Sequence, residues 1–399
     1  MADAASIRRQ NLLSVLREIE RAGDCTASAL QARTGLSAAT VSRVLTALKE
    51  RGMVVQHRKE TSEPGRKPDV FRLDLTFGHY LYFTLDNRSM RGYLLDLGGA
   101  VRASARTPIT QALDAALLAD ILAEQKTRLS DAGGCDPARL LAVIIAIPGV
   151  ADGSGTVSSI PDFPQFENVP LGSVLQKALQ LPCFVYNTTA MMAMGEYLRS
   201  GGSAESFVYI NITDEYGIGA GILLGGELYM GSGSRAGEIG GMLLSDTHPA
   251  GDPLHRSTLE EQAGLERVYR QAQLLLDSGY APALHACMER AGTDQIRLQL
   301  LEQAAQGMDL DILALLDRST RIWAAAIVNL VTVLSPETVI VGGAVSRENT
   351  LICQMLQRQL DGLHDLPIRL RFAEPDSDAH VLGAVQLSKD YVFDAALGA

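Results

Sequence analysis

Apolar residues fall at helical spacing in the first fifty positions and shift to short alternating or continuous runs afterwards. Ser6–Ala22 places Leu12, Leu13, Val15, Leu16 and Ile19 on one side of an amphipathic helix. Thr26 is a candidate N-cap for a helix over Ala27–Arg33, and Gly35 stands where that helix must stop and turn. Ser37 is a candidate N-cap for a second helix, Ala38–Lys49. In it Val41, Val44, Leu45 and Leu48 occupy i, i+3, i+4 and i+7, one buried stripe. Met53–Val55 and Val70–Leu75 read as two short strands around a polar tip carrying His57, Arg58, Lys59, Gly65, Arg66, Lys67 and Pro68. Three helices followed by a hairpin predict a winged helix-turn-helix, an α+β head.

Beyond Gly78 strands and helices alternate. Tyr80–Leu85, Gly92–Leu97 and Val101–Thr107 predict a three-stranded meander, and Asp114–Ser130 a helix. Leu140–Ile147 (LLAVIIAI) is continuous enough for a strand buried on both faces. Helix Pro170–Leu179, strand Cys183–Tyr186 and helix Thr189–Ser200 follow. Phe207–Ile212 and Gly219–Leu224 form another strand pair, with a turn at Gly225-Gly226. A long helix, Thr320–Leu334, precedes a late buried strand at Thr338–Val341. This order predicts two α/β lobes. The expected domains are 1–75, 76–189 and 190–399, with a C-terminal helix returning to the first lobe.

Charge divides the chain in the same place. Residues 1–75 hold 13 Lys and Arg against 9 Asp and Glu, whereas the whole chain has net charge −11. An acidic body repels DNA, so the head is the credible contact surface. On the second helix the face opposite the buried stripe carries Ala38, Ala39, Ser42, Arg43 and Thr46. Small residues permit close approach to a major groove, and polar ones reach base edges. Arg66 and Lys67 at the wing tip are the expected backbone or minor-groove contacts. With 47% hydrophobic residues, 399 positions are enough for two or three sizeable cores. No run of about twenty apolar residues is present, and Met1–Ala5 does not open a signal peptide, which predicts a cytoplasmic protein without membrane contact. The five cysteines (Cys25, Cys135, Cys183, Cys287, Cys353) are scattered and form no CxxC pair, so reduced thiols are expected rather than disulfides or a thiolate metal site.

Six short motifs carry a resemblance. They are Ile147-Pro148-Gly149, Asn187 after a buried strand, Gly217-Ile218-Gly219-Ala220-Gly221, Gly226-Glu227-Leu228-Tyr229, Ala236-Gly237-Glu238-Ile239-Gly240 and Val341-Gly342-Gly343. In this order, behind a winged head, they resemble the ROK family, and the whole chain resembles its NagC/XylR-type regulators. The resemblance implies a two-lobed, actin-like (ribonuclease H-like) body from about Gly78 onward.

Against the pattern of ROK kinases the chain departs in three places. The first phosphate loop reads Thr84-Leu85-Asp86-Asn87-Arg88, without the family's Asp or glycines. The second reads Glu215-Tyr216-Gly217, where a carboxylate and a phenol oppose a triphosphate. The family's catalytic Asp is replaced by Thr188, a hydroxyl that cannot serve as a general base near neutral pH. No catalytic residue and no cofactor are therefore expected. The family's zinc ligands are missing too: Gly241 replaces a histidine, and the following segment has no cysteine. Asp246, His248, Asp252 and His255 offer an N/O set whose spacing fits no familiar metal pattern. By position Asn187, Glu238 and Glu260 match sugar-binding residues of the family, and Gly149 and Asn168 lie in segments lining the same site. Each also has a plain structural reading: Glu238 as a cap, Asn187 as a partner of loop backbone. Gly241 leaves room for a larger sugar substituent, such as an N-acyl or phosphate group.

The resemblance implies a DNA-binding transcriptional regulator, a repressor on a palindromic operator. Its partners are double-stranded DNA, a second copy of the chain (a homodimer, with a tetramer as the alternative) and a sugar or sugar derivative as effector. The competing readings are a ligand-independent dimeric DNA-binding protein and a sugar kinase.

Overall fold

The structure, a computed structural model, describes residues 4–58, 69–86, 89–161, 163–215, 217–244, 258–363, 369–375 and 378–398. The wing-tip residues Arg66 and Lys67, the loop residues Asn87, Arg88 and Tyr216, and Asp246, His248, Asp252 and His255 lie outside them.

The head forms as its local code dictates. The first helix runs Ala4–Ala22. The Thr26 side chain accepts from the Ala29 amide to start helix Ala27–Thr34, and Gly35 ends it at φ 69°. An L side chain resists that backbone, which is why glycine stands there. The Ser37 side chain accepts from the Thr40 amide to start the recognition helix, Ala38–Glu50, whose Val41, Val44, Leu45 and Leu48 are buried. They meet Leu12, Val15, Leu16 and Ile19 of the first helix in the head's core. The wing strands are Val54–Arg58 and Asp69–Leu73. A third strand, Cys25–Thr26, is missing from the sequence reading. It pairs with the far side of Asp69–Leu73, making that the central strand. Two residues are too few to show a period.

The body contains two five-stranded sheets with one topology. In the first, Val101–Pro108, Ser89–Asp96 and His79–Leu85 form an antiparallel meander. Leu140–Ile147 adds parallel to the last of these, and Cys183–Asn187 lies beyond it. In the second, Glu227–Leu228, Ile218–Leu224 and Ser206–Ile212 form the meander, followed by parallel Thr338–Gly343 and Arg369–Phe372. Numbered within each lobe, both sheets read 3-2-1-4-5. Every residue of Leu140–Ile147 is buried, as a parallel strand covered on both faces requires.

Contacts divide the chain into two compact units. One comprises 1–147, 153–186 and 384–399; the other comprises 148–152 and 187–383. The head and the first sheet thus share a unit with the end of the C-terminal helix, Ala379–Gly398. In the second unit the long helix begins at Leu310, capped by Asp309, rather than at Thr320. Helices Leu265–Asp277 and Leu298–Gln306 pack beside it and Pro282–Ala291 packs against Leu298–Gln306, none of which the sequence reading assigned.

A buried carboxylate organises this region. Glu302 accepts from the Leu351 amide at 2.5 Å, the Ile352 amide at 3.3 Å and the Asn349 side-chain nitrogen at 3.2 Å. It satisfies free amides at the start of helix Thr350–Leu363, where a negative charge is also favoured by the helix dipole. Glu302→Ala strands those donors in a buried site. The variant is expected to lose on the order of 3 kcal/mol in urea unfolding, with Glu302→Gln recovering part of the loss. An unchanged midpoint for the alanine variant would contradict this role.

Candidate functional site

The first candidate surface lies on the head. Ala38, Ala39, Ser42, Arg43 and Thr46 are all exposed, opposite the buried stripe of the recognition helix. Thr46 donates its hydroxyl to the Ser42 carbonyl at 3.0 Å, and the Arg43 guanidinium donates to the Ala39 carbonyl at 3.3 Å. Those weak bonds to the helix's own backbone park the side chains and leave Arg43 free to reach outward. Ser42, Arg43 and Thr46 line a groove of about 610 Å³ together with Ile7, Arg8 and Asn11 of the first helix. The sequence reading missed Arg8 and Asn11, whose only signal is a polar face on an amphipathic helix.

The second candidate surface is in the second unit. Asn187 stands at the N-cap of helix Thr188–Arg199. Its side-chain oxygen accepts from the Ala190 amide at 3.1 Å, and its nitrogen donates to the Gly149 carbonyl at 2.8 Å. One amide therefore starts the helix and ties down the Gly149 loop, leaving one donor hydrogen and one lone pair to spare. Thr189 is engaged as well, accepting from the buried Asn211 side chain at 3.1 Å. The Thr188 hydroxyl is buried and, among the described residues, has no hydrogen-bond partner.

Asn187 and Glu238 border one cavity with Thr189, Leu228, Tyr229 and Met230, and it holds only about 30 Å³. That is room for a water, not for a hexose. A sugar meeting these groups must lie over the rim. Gly237 shapes that rim: at φ 89°, its Cβ position is blocked by the Ala220 carbonyl. Glu238 precedes the short helical turn Ile239–Gly241, and its side chain makes no capping bond. The structure therefore removes its plain reading as a cap.

Glu260 lines a different and larger space, about 750 Å³, with Asp214, Glu215, Gly217, Gly241 and Arg318. Its carboxylate fills the notch over Gly217 and Gly240, where a Cβ on either glycine would collide with it. Gly241 borders the same space, and a Cβ there would meet nothing within 4 Å. Asn168, at φ 54°, belongs to the other compact unit, its amide donating to the Ser158 carbonyl. Among the five expected ligand residues the structure thus joins Gly149, Asn187 and Glu238, and sets Glu260 in a neighbouring pocket. Among the described residues no group of three or more His, Cys, Asp or Glu is placed to hold a metal. None of the described helices is long and apolar enough to cross a membrane.

Comparison with known proteins bears on both surfaces. A family profile described as "ROK family" matches residues 88–391, and one described as "MarR family" matches residues 13–67. The chain is 24% identical to a xylose repressor of Caldicellulosiruptor bescii, over 90% of each protein. It is 22% identical to the DNA-binding transcriptional dual regulator NagC of Escherichia coli, covering 88% of this chain and 84% of that one. Among solved structures, a ROK family transcriptional regulator homologous to the E. coli MLC protein matches with TM-score 0.80, 23% identity and 98% coverage of both chains. A ROK glucokinase of Streptomyces griseus, bound to glucose and AMPPNP, matches with TM-score 0.62 and 22% identity, over 78% of this chain and 99% of that one. The architecture is thus the expected winged head on a two-lobed, actin-like body.

Burial pushes the Glu260 carboxyl above the usual carboxylate range, and the negative charges of Glu238, Glu266 and Glu261 push it the same way. As pH rises, the unfolded chain then ionises this group before the folded chain does. Its stabilising contribution is complete below the ordinary carboxylate pKa and is lost as pH climbs through the raised value. Glu260→Gln is therefore expected to gain stability relative to the parent as pH rises above the ordinary carboxylate range, about pH 4, in thermal melts at a series of pH values. A constant difference between the two proteins would contradict it.

Proposed function

The chain belongs to the ROK family, and on that premise we propose that it is a DNA-binding transcriptional repressor whose body is no longer a kinase. The observation that carries this reading is the recognition helix. It presents small and hydrogen-bonding side chains on an exposed face of a basic head, and its opposite face is locked into that head's core. Two heads on a symmetric homodimer would suit a palindromic operator in the cytoplasm, each reading one half-site. Arg43, Ser42 and Ala39 would face base edges, Ala38 and Thr46 would border them, and Arg66 and Lys67 would meet the backbone or minor groove.

Thr188 in the place of the family's base supports the loss of phosphoryl transfer, as does Glu215 in the second phosphate loop. For the body, the reading is a sensor for a sugar or sugar derivative. Asn187, Glu238 and Gly149 would supply polar contacts and Glu260 the adjoining pocket. The open space beside Gly241 suits a bulky substituent. One observation favours a second reading, a ligand-independent dimer: the Asn187–Glu238 cavity is too small for a sugar, and much of Asn187 is already spent on backbone.

The DNA reading is tested on duplexes enriched from a random pool by the full-length protein. Arg43→Ala is expected to weaken binding to the enriched duplex by roughly 1–3 kcal/mol and to spare random duplex, narrowing the ratio between them. Equal affinity of parent and variant for both duplexes would remove the assignment. The sensor reading is tested by thermal shift with D-xylose, N-acetylglucosamine and ATP. A rise with one sugar and none with ATP is expected, because only a ligand of the native state raises its melting point. No rise with any sugar would favour the ligand-independent dimer.

A further inference from the structure

The C-terminal helix, Ala379–Gly398, plays no part in the function just proposed, yet both of its ends are held. Its first turn belongs to the second unit. There it meets helix Thr188–Arg199 backbone to backbone. A Cβ on Gly195 would strike the Ala379 carbonyl, and one on Gly383 would strike the Met191 carbonyl. Helix Thr188–Arg199 is the one that Asn187 starts and ties to the Gly149 loop.

From Ala384 onward the helix belongs to the first unit. Tyr391 packs on Phe184 with ring centroids 4.4 Å apart, and the Tyr186 hydroxyl donates to the Leu387 carbonyl at 3.1 Å. These contacts seat it on the edge strand of the first sheet. Three of its charged positions grip the head. Lys389 pairs with Glu20 at 2.7 Å, Asp390 with Arg17 at 2.5 Å, and Asp394 with Arg9. The Arg51 guanidinium, just past the recognition helix, donates to the Leu397 carbonyl. Asp390 and Asp394 are four residues apart and so share a helix face.

We propose that the C-terminal helix is a coupling rod, carrying a shift of helix Thr188–Arg199 at the candidate effector loop to the first helix of the winged head. This rests on the repressor reading above. The Arg9–Asp394 and Arg17–Asp390 side chains are about half exposed, so each pair is weak and screened by salt. A row of such pairs holds the head in place and still gives way when the helix moves. The first helix forms the head's core with the recognition helix, so its freedom sets that of the DNA-reading face. Coupling of this kind requires the helix to take two positions, each favoured by one of the sites.

The test is hydrogen exchange of the full-length protein at low salt, without DNA, read over residues 6–22. Asp390→Lys with Asp394→Lys is expected to speed exchange there several-fold. Adding Arg9→Glu and Arg17→Glu is expected to restore it, because the pairs re-form with reversed signs. At the other end, Gly383→Ala is expected to speed exchange over the same residues. Should that variant fail to fold, Asn187→Ala, which only removes the cap and the tie to Gly149, is expected to do the same. Unchanged exchange in the charge-reversed protein, or no restoration in the quadruple variant, overturns the clamp. Parent-like exchange over residues 6–22 in Asn187→Ala and in any folded Gly383→Ala overturns the rod. Because DNA is absent, a failure of the parent to bind duplex strikes only the repressor reading.

Discussion

A basic head tethered to an acidic body is drawn toward that body, and the protein must keep the attraction off the face that reads DNA. The chain carries net charge −11 although its first 75 residues are net positive. The structure meets the constraint by choosing which cations the body engages. Arg9 and Arg17, on the first helix, are paired with carboxylates of the C-terminal helix. Among the described residues Arg43, on the recognition helix, bonds to the carbonyl one turn behind it. The body's negative charge thus orients the head without occupying its reading surface. The same charge discourages the rest of the chain from approaching a phosphate backbone.

The body shows how polar side chains can be committed to a scaffold. Two sheets of identical order survive, together with the glycines that allow close packing, such as Gly237 against Ala220. Beside them, polar side chains serve the scaffold. Asn187 caps a helix and ties a loop, and Thr189 receives Asn211. Glu260 fills the notch over Gly217 and Gly240. The same residues that could meet a sugar hydroxyl hold the loops in place, so ligand sensing and loop geometry are tied together.

What the sequence disclosed follows the range of the interaction involved. Thr26, Gly35 and Ser37 act within four residues, and their caps stand where the residues alone place them. The continuous apolar run Leu140–Ile147 announces its own burial. The Cys25–Thr26 strand was invisible because its only support is a partner some 45 residues away. The helices between Leu265 and Gln306 are hard to read because they share a core with the long helix, outside the strand–helix alternation. The Arg9–Asp394 contact spans 385 positions, and nothing in either residue's neighbourhood names the other. Glu238 and Glu260 line different openings, yet the charge of Glu238 raises the Glu260 carboxyl, and that proximity depends on backbone turns that no spacing records.

The measurement that bears most directly on the central claim is hydrogen exchange of the full-length protein with and without an enriched DNA duplex. The account predicts slowed exchange across residues 37–50, where the recognition helix and its cap lie, and little change over the acidic body's two sheets. Protection confined to the body, or none in the recognition helix despite binding, would contradict it.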